Sequence, residues 1–213
     1  YSHGIYLQEQ LRYGPLQLLL GLRQEYFTDI LNKQQSNESR TTQRALIPRV
    51  GAVLTVNKQI NVYGTWVKGF EPQSASVQSN PNTGAPFAPE QSQLLEVGAK
   101  SDWFDHRLSI TTALFHLTKN NTLYNAGDAG NPDLLMQVGE EVSKGVEVDV
   151  AGELLPNWSV VVNYAYTDAK ITKTASGTEK DLGMQRPNTM QPTSGPNTFC
   201  ATALCATWAL DWV

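Results

Sequence analysis

Three histidines, three methionines and two cysteines are all that 213 residues offer of the side chains most often recruited to metals or redox chemistry. His3, His106 and His116 are scattered, and none stands at ligand spacing from another His, Cys or carboxylate, so no metal site is expected. Cys200 and Cys205 are too far apart for a C-x-x-C redox motif, leaving a disulfide or an incidental pair. Charged residues make up only 17%, with 16 basic against 20 acidic and a net charge of −4. That balance argues against a nucleic-acid or anionic-membrane surface binder, which needs clustered Lys and Arg. No stretch approaches the ~18 consecutive apolar residues of a transmembrane helix. No basic stretch leads into an apolar run at the start, and the chain opens on Tyr1, so a signal peptide is lacking and the true beginning is expected upstream. G-x-S-x-G, H-E-x-x-H, phosphate-loop and dinucleotide fingerprints are missing too. Glu140 and Glu141, adjacent on a strand, would point to opposite faces and cannot pair as acid and base. No catalytic residue and no cofactor is expected.

The hydrophobic share of 40% is too high for a disordered chain. These absences leave one membrane class open, the β-barrel, whose strands are apolar only at every second position. Read for period two, the chain breaks into eight candidate strands. Leu16, Leu18, Leu20 and Leu22 share one face against Gln17, Leu19, Gly21, Arg23 and Glu25. Ile60, Val62 and Trp66 alternate with Gln59, Asn61, Tyr63 and Thr65; Leu108, Ile110, Thr112 and Leu114 with Arg107, Ser109, Thr111 and Ala113. Val146, Val148, Val150 and Leu154 oppose Gly145, Glu147, Asp149 and Glu153; Trp158, Val160, Val162 and Tyr164 oppose Ser159, Val161, Asn163 and Ala165. Helical spacing fits none of these runs, which favour β-branched and aromatic residues. The chain reads as all-β.

Connections alternate between tight and long. Tyr13-Gly14-Pro15, Asn57-Lys58, Phe104-Asp105-His106 and Pro156-Asn157 are hairpin-sized. Thr28–Gln43, Glu71–Ser92, Asn125–Asp133 and Lys173 onward are long and polar, and Pro72–Pro89 offers no core. This rhythm belongs to outer-membrane barrels, with tight periplasmic turns and long outer loops. A sharper test is where charge or polarity first interrupts the apolar face, counting from each tight turn. Gln24, Lys68, His116, Lys144 and Asp168 come after four or five apolar-face positions each. At ~3.3 Å per residue and a ~45° tilt this makes a band of about 20–25 Å, and a charge at a bilayer midplane costs ~2–4 kcal/mol. A sandwich core has no reason to stop at one level on successive strands. Trp66, Tyr164, Trp103, Trp158 and Tyr13 fall near the two rims, where an aromatic girdle belongs. In the first strand Glu9 falls in line with Ile5, Leu7 and Leu11, which predicts a bulge or a different register. Arg23, Glu25, Arg49, Glu96, Lys100, Arg107, Lys119, Glu147, Asp149 and Glu153 make the other face too charged for a packed interior and fit a watery lumen.

Particular residues then resemble a family. Pro48-Arg49-Val50-Gly51 opens a strand, and Tyr63-Gly64-Thr65-Trp66 leads to Gly69-Phe70-Glu71-Pro72-Gln73. Pro86-Phe87-x-Pro89-Glu90 precedes Glu96-Val97-Gly98-x-Lys100. Gly139-Glu140-Glu141-Val142-Ser143-Lys144-Gly145-Val146-Glu147-Val148-Asp149 is followed by Trp158 through Tyr164-Ala165-Tyr166-Thr167-Asp168-Ala169. In order and spacing, from Ile5 to about Met190, these resemble the barrel of TonB-dependent ferric-siderophore receptors. Leu95 departs from the aromatic usual before Glu-Val-Gly. The resemblance implies a fragment, about eight strands, of an antiparallel up-and-down barrel of about 22 strands plugged by an N-terminal domain. It implies outer-membrane lipid around the barrel, a ferric siderophore as transported ligand, and TonB engaged through the missing N-terminal region. Phe27, Phe70, Phe87 and Tyr124, in loops or at their bases, are the candidate ligand contacts; rim packing is the competing role for each.

Residues 1–190 therefore read as partial barrel and 191–213 as an aberrant tail. After about Met190 the period of two is lost. Building codons across residue boundaries, Trp208-Ala209 forces Gly, Asp211-Trp212 forces Leu and Trp212-Val213 forces Gly. That pattern resembles the family's next hairpin, so the tail is expected to be frameshifted and both cysteines artefacts of it. Two competing readings stay open: a small eight-stranded structural or adhesion barrel, and a soluble β-rich binding module.

Overall fold

The computed structural model describes residues 1–32, 36, 38–126, 129–155, 158–173, 180–181, 198–201 and 204–208. In chain order the strands are β1 (Ser2–Tyr13), β2 (Leu16–Leu31), β3 (Ser39–Thr55), β4 (Ile60–Glu71), β5 (Glu90–Trp103), β6 (Leu108–Asn120), β7 (Thr122–Asn125), β8 (Leu135–Val138), β9 (Glu140–Leu155), β10 (Trp158–Lys173), β11 (Lys180–Asp181), β12 (Thr198–Ala201) and β13 (Leu204–Trp208). One antiparallel sheet runs β1-β2-β3-β4-β5-β6-β9-β10 and continues through β13 to β12. The eight long strands are neighbours in chain order once the β7–β8 hairpin is set aside, which is the up-and-down topology expected. Among the described residues β1 pairs with β2 alone, so no pairing of first and last strands closes a small barrel.

The middle of the outward face lies open among the described residues, while Leu108 and Val160, at its tight-turn end, are buried at 7% and 3% exposed. Leu95 is 51% exposed, Val97 48% and Leu114 57%, and among the described residues no large side chain is fully buried. An uncovered apolar belt of this extent marks a surface that faces lipid or a partner. Along β5 the outward Gln91, Gln93, Leu95 and Val97 are exposed while Ser92, Leu94, Glu96 and Gly98 are half-buried, so the sheet is concave on its polar side. The register shows why the belt keeps one level. Lys68 pairs across with Gln93, whereas His116, Lys144 and Asp168 form a row whose β5 member is Leu95. The edge of the belt thus slips relative to the hydrogen-bonded rows from one strand to the next, as tilted barrel strands require.

The sheet corrects several expectations. β1 pairs with β2 residue for residue from Ser2↔Phe27 to Tyr13↔Leu16, without a bulge. Glu9 therefore does stand on the face of Ile5, Leu7 and Leu11, opposite Leu20. The irregular strand is β10, whose register with β9 shifts between Trp158 and Ser159 and again between Ile171 and Lys173. Thr28–Gln43 is mostly strand: β2 and β3 stay paired out to Leu31↔Ser39. Polar residues do not end a strand whose two faces are both wet, and Thr28, Ile30, Thr41 and Thr42 suit the pleat. Tyr164 sits inside the belt, and Tyr166, one step from Asp168, takes the outer rim beside Val146. The Pro156-Asn157 turn lies outside the described residues, as does most of 191–213. What is described there is β13 pairing with β10 from Trp158↔Trp208 to Val161↔Cys205, and β12 setting Cys200 opposite Cys205 in register.

Candidate ligand-binding site

Above the belt two connections fold over the concave face. In the first, 72–89, Ser74 caps α1 (Ala75–Ser79), its hydroxyl accepting from Val77 N at 3.4 Å. Asn80 then starts a single 3-10 turn over Pro81–Thr83, and Gly84 ends it at φ 82°, a left-handed conformation that glycine adopts without strain. Two lumen-side residues of the wall seize this segment. Asp29 Oδ2 accepts from Ala75 N at 2.7 Å, and Gln43 Oε1 from Gln73 N at 2.8 Å. Ala75 is 0% exposed and Thr83 5%, so the stretch expected to offer no core builds a small one. Gln78 clamps Phe87 in both directions, donating to its carbonyl at 2.7 Å and accepting from its N–H at 2.9 Å.

The second connection is the β7–β8 hairpin, stitched onto the first. Asn131 Nδ2 donates to Asn82 O at 2.9 Å. Gln137 accepts from Ala88 N at 3.1 Å and donates to Ala88 O at 2.7 Å. Beneath them Glu71, Glu90, Lys119 and Glu141 share the lumen face at the outer ends of β4, β5, β6 and β9. Lys119 Nζ meets Glu90 Oε1 at 2.9 Å, and the Tyr124 hydroxyl donates to Glu141 Oε1. Desolvation first, then the hydrogen bond to Glu141 and the negative charges of Glu141 and Glu90, push the Tyr124 phenol up to about 12.

Lower on the same face a cavity of about 420 Å³ is lined by Gln10, Gln17, Asn61, Tyr63, Glu96 and Lys100, among others. Tyr63 is its organiser. Its hydroxyl donates to Glu96 Oε1 at 2.9 Å, and the Lys100 ammonium stands 5.7 Å from its ring centre. The ring can lie flat because Gly98 is bare: a Cβ there would come within 2.6 Å of Tyr63 Cζ. Gly145, the glycine of the Lys144-Gly145-Val146-Glu147 motif, plays the same part for Phe115, whose Cζ would be 2.7 Å from an added Cβ. The lumen face is thus furnished with paired donors, acceptors and aromatic rings, an inventory that grips a polar ligand through many contacts. Among the described residues no group of three His, Cys, Asp or Glu could hold a metal ion.

The four candidate contacts are spread over this region. Phe27 stands half-buried on the lumen side of β2, paired with Ser2 and Gln43. Phe70 takes the opposite, outward side of β4, in line with Trp66 and Lys68. Phe87 and Tyr124 belong to the two stitched connections and come together through Gln137, which bonds Ala88 and pairs with Leu123. Asp29, Gln43, Gln78 and Gln137 were not anticipated. Lumen-side position at the outer strand ends was a readable signal for Asp29 and Gln43; the loop glutamines carried none.

A tilted antiparallel wall with a bare apolar outer belt, a wet inner face and loops folded across one end defines an outer-membrane β-barrel. The family model for "TonB dependent receptor-like, beta-barrel" matches residues 1–209, and the chain belongs to that family. It is similar to the metal-pseudopaline receptor CntO of Pseudomonas aeruginosa, with 31% identity over 78% of this chain and 24% of the relative. The ferrichrome outer membrane transporter/phage receptor of Escherichia coli K12 is 28% identical over 79% of this chain and 22% of its own length. The chain spans about a quarter of the length of these curated relatives. Among solved structures, the siderophore receptor PiuA from Acinetobacter baumannii superposes with a TM-score of 0.66 over 84% of this chain and 27% of the other, at 23% identity. The Escherichia coli ferric-catecholate import receptor Fiu gives 0.65 over 83% and 29%, at 20% identity, a likeness of fold.

Proposed function

We propose that this chain is part of the wall of a receptor that captures a ferric siderophore at the cell surface and imports it across the outer membrane with energy delivered by TonB. The observation that carries the reading is the loop layer anchored by Asp29 and Gln43 over a concave face of paired polar and aromatic groups. A ferric siderophore is a compact, oxygen-rich chelate, so many weak polar and ring contacts suit it better than one deep apolar slot. The iron arrives as cargo, already chelated, and the protein needs no metal ligands or cofactor of its own. Nucleic acid is not a partner in this reading, and no bond is made or broken.

Phe27, Phe87 and Tyr124 are the aromatic contacts we assign to the ligand; Phe70, on the outward side, is assigned to the rim. The test is iron uptake. A strain stripped of its siderophore receptors is given the gene that encodes this sequence and supplied with radiolabelled iron on hydroxamate, catecholate and mixed chelators. Uptake of at least one complex is expected, abolished when TonB is deleted. No uptake with any chelator, from a receptor verified in the outer membrane, would overturn the reading.

A further inference from the structure

A second hollow, of about 330 Å³, opens on the lumen face between the loop layer and the Tyr63 cavity. Two hydrogen-bonded rows build it. Tyr6, Arg23 and Ile47 form the upper row, and Gln8, Gly21, Arg49 and Val67 the lower. Bare glycine again makes the room. The Arg49 stem lies across Gly21, where an added Cβ would come within 2.6 Å of its Cγ, and Arg23 lies against Gly4, where an added Cβ would stand 2.9 Å from Nη2. Neither glycine has a positive φ, so space and not backbone conformation selects them.

Among the described residues no carboxylate lines this hollow. Glu25, beside it, is held by Arg23 Nε at 2.5 Å. Glu96, one lumen row below Arg49 and two strands across, accepts from the Tyr63 hydroxyl. Arg49 is exposed, and among the described residues it forms no hydrogen bond or ion pair. Its guanidinium therefore stands open to the lumen beside a second guanidinium, a phenol and a primary amide.

We infer that this hollow binds a carboxylate of the transported chelate on its way down the lumen, taken by the N–H fork of Arg49 with Arg23, Tyr6 and Gln8 closing round it. A guanidinium matches the plane of a carboxylate with two parallel hydrogen bonds, which an ammonium or an amide cannot do. Arg49, with no acid beside it, keeps its whole charge for a guest; Arg23, partly spent on Glu25, adds orientation. On β3 the site lies between Gln43, which anchors the loop layer, and Val53, which lines the Tyr63 cavity, so cargo released from the loops meets it first. The inference rests on the import reading and adds a charge class to the cargo: a ferric chelate with a carboxylate left over from binding iron.

The test treats the full receptor, in detergent micelles, with phenylglyoxal and reads the modification rate of Arg49 by mass spectrometry, with outward-facing Arg44 as internal control. Millimolar citrate should slow Arg49 about tenfold and leave Arg44 unchanged. Citramide, the same skeleton without charge, and sodium chloride at equal ionic strength should protect neither. Arg23→Gln should need about tenfold more citrate for the same protection. Equal rates with citrate and citramide overturn the inference. So does an Arg49 that is unreactive before any carboxylate is added, which would mean that an acid of the receptor itself holds it. Uptake then separates cargo from import. Arg49→Gln should raise KM about tenfold for iron on a carboxylate-bearing hydroxamate and leave KM unchanged for its methyl ester. An equal change for both overturns the cargo assignment while uptake itself upholds the import reading; absence of uptake with either overturns both.

Discussion

The two sides of one strand teach how this sequence divides its work. On β6, Ile110, Thr112 and Leu114 face outward while Thr111, Ala113 and Phe115 face the lumen, on the same backbone and in the same ladder. The outward set touches nothing of its own chain in depth, and its stabilisation comes from acyl chains. The lumen set earns order differently, by laying rings on bare glycines and pairing Tyr63 with Glu96 or Asn163 with Asp149. One face is specified by exclusion of charge and tolerates any apolar shape. The other admits charge freely and is specified by fit.

The largest expected effect comes from moving one charge between these faces. Val97→Arg places a guanidinium in the belt and should destabilise the barrel by ~2–4 kcal/mol. Thr111→Arg puts the same group on the lumen side, across from Asp149, and should cost less than ~1 kcal/mol. Denaturant unfolding in lipid vesicles measures both. Equal penalties would mean that the two faces are not distinct environments.

Fit on the lumen side can be tested with a single methyl group. Gly145→Ala would drive its Cβ onto Tyr166 O, a backbone atom that cannot turn aside, and against the Phe115 ring. A loss of ~1–3 kcal/mol is expected from such overpacking. Gly51→Ala meets only Leu19 Cβ at 3.7 Å and Gly64 O at 4.0 Å, so it should be neutral or slightly stabilising by trimming unfolded-state entropy. The same unfolding assay decides, and a Gly145→Ala variant as stable as Gly51→Ala would remove the packing account of the motif glycine.

Much of the wall was legible because lipid enforces period two without compromise: Leu16 to Leu22 and Val146 to Val150 could be read off as outward residues with no other information. Glu9 was not legible as such, since a belt-facing acid breaks the rule that made the rest readable, and only the register with Leu20 shows it is real. The outer ends of β2 and β3 read as loop for the opposite reason: above the membrane neither face must be apolar, so the pattern fades while the ladder continues. The loop layer was least legible. Its order rests on side-chain amides such as Gln78 and Gln137 bonding backbone far away in sequence, and nothing in local composition distinguishes a clamping glutamine from a solvated one.

The smallest expected effect sharpens the lumen side at its outer end, where pairing should show in a titration. Tyr124 has its phenol raised to about 12 by desolvation and by Glu141, so its neutral form is the one the folded hairpin favours. A group whose folded value lies above the unfolded value, here 10.0, contributes its stabilisation in full below pH 10 and loses it as pH climbs through about 12. The hairpin should therefore hold unchanged across neutral pH and loosen only in that alkaline window. The difference in phenolate absorbance between the unmutated chain and Tyr124→Phe isolates this one group, with an expected midpoint near 12. Glu141→Gln removes a full negative charge and leaves burial in place, so its midpoint should move part of the way towards 10 and stop short of it. A midpoint already at 10 in the unmutated chain would show that the Tyr124–Glu141 pair does not hold the hairpin to the wall.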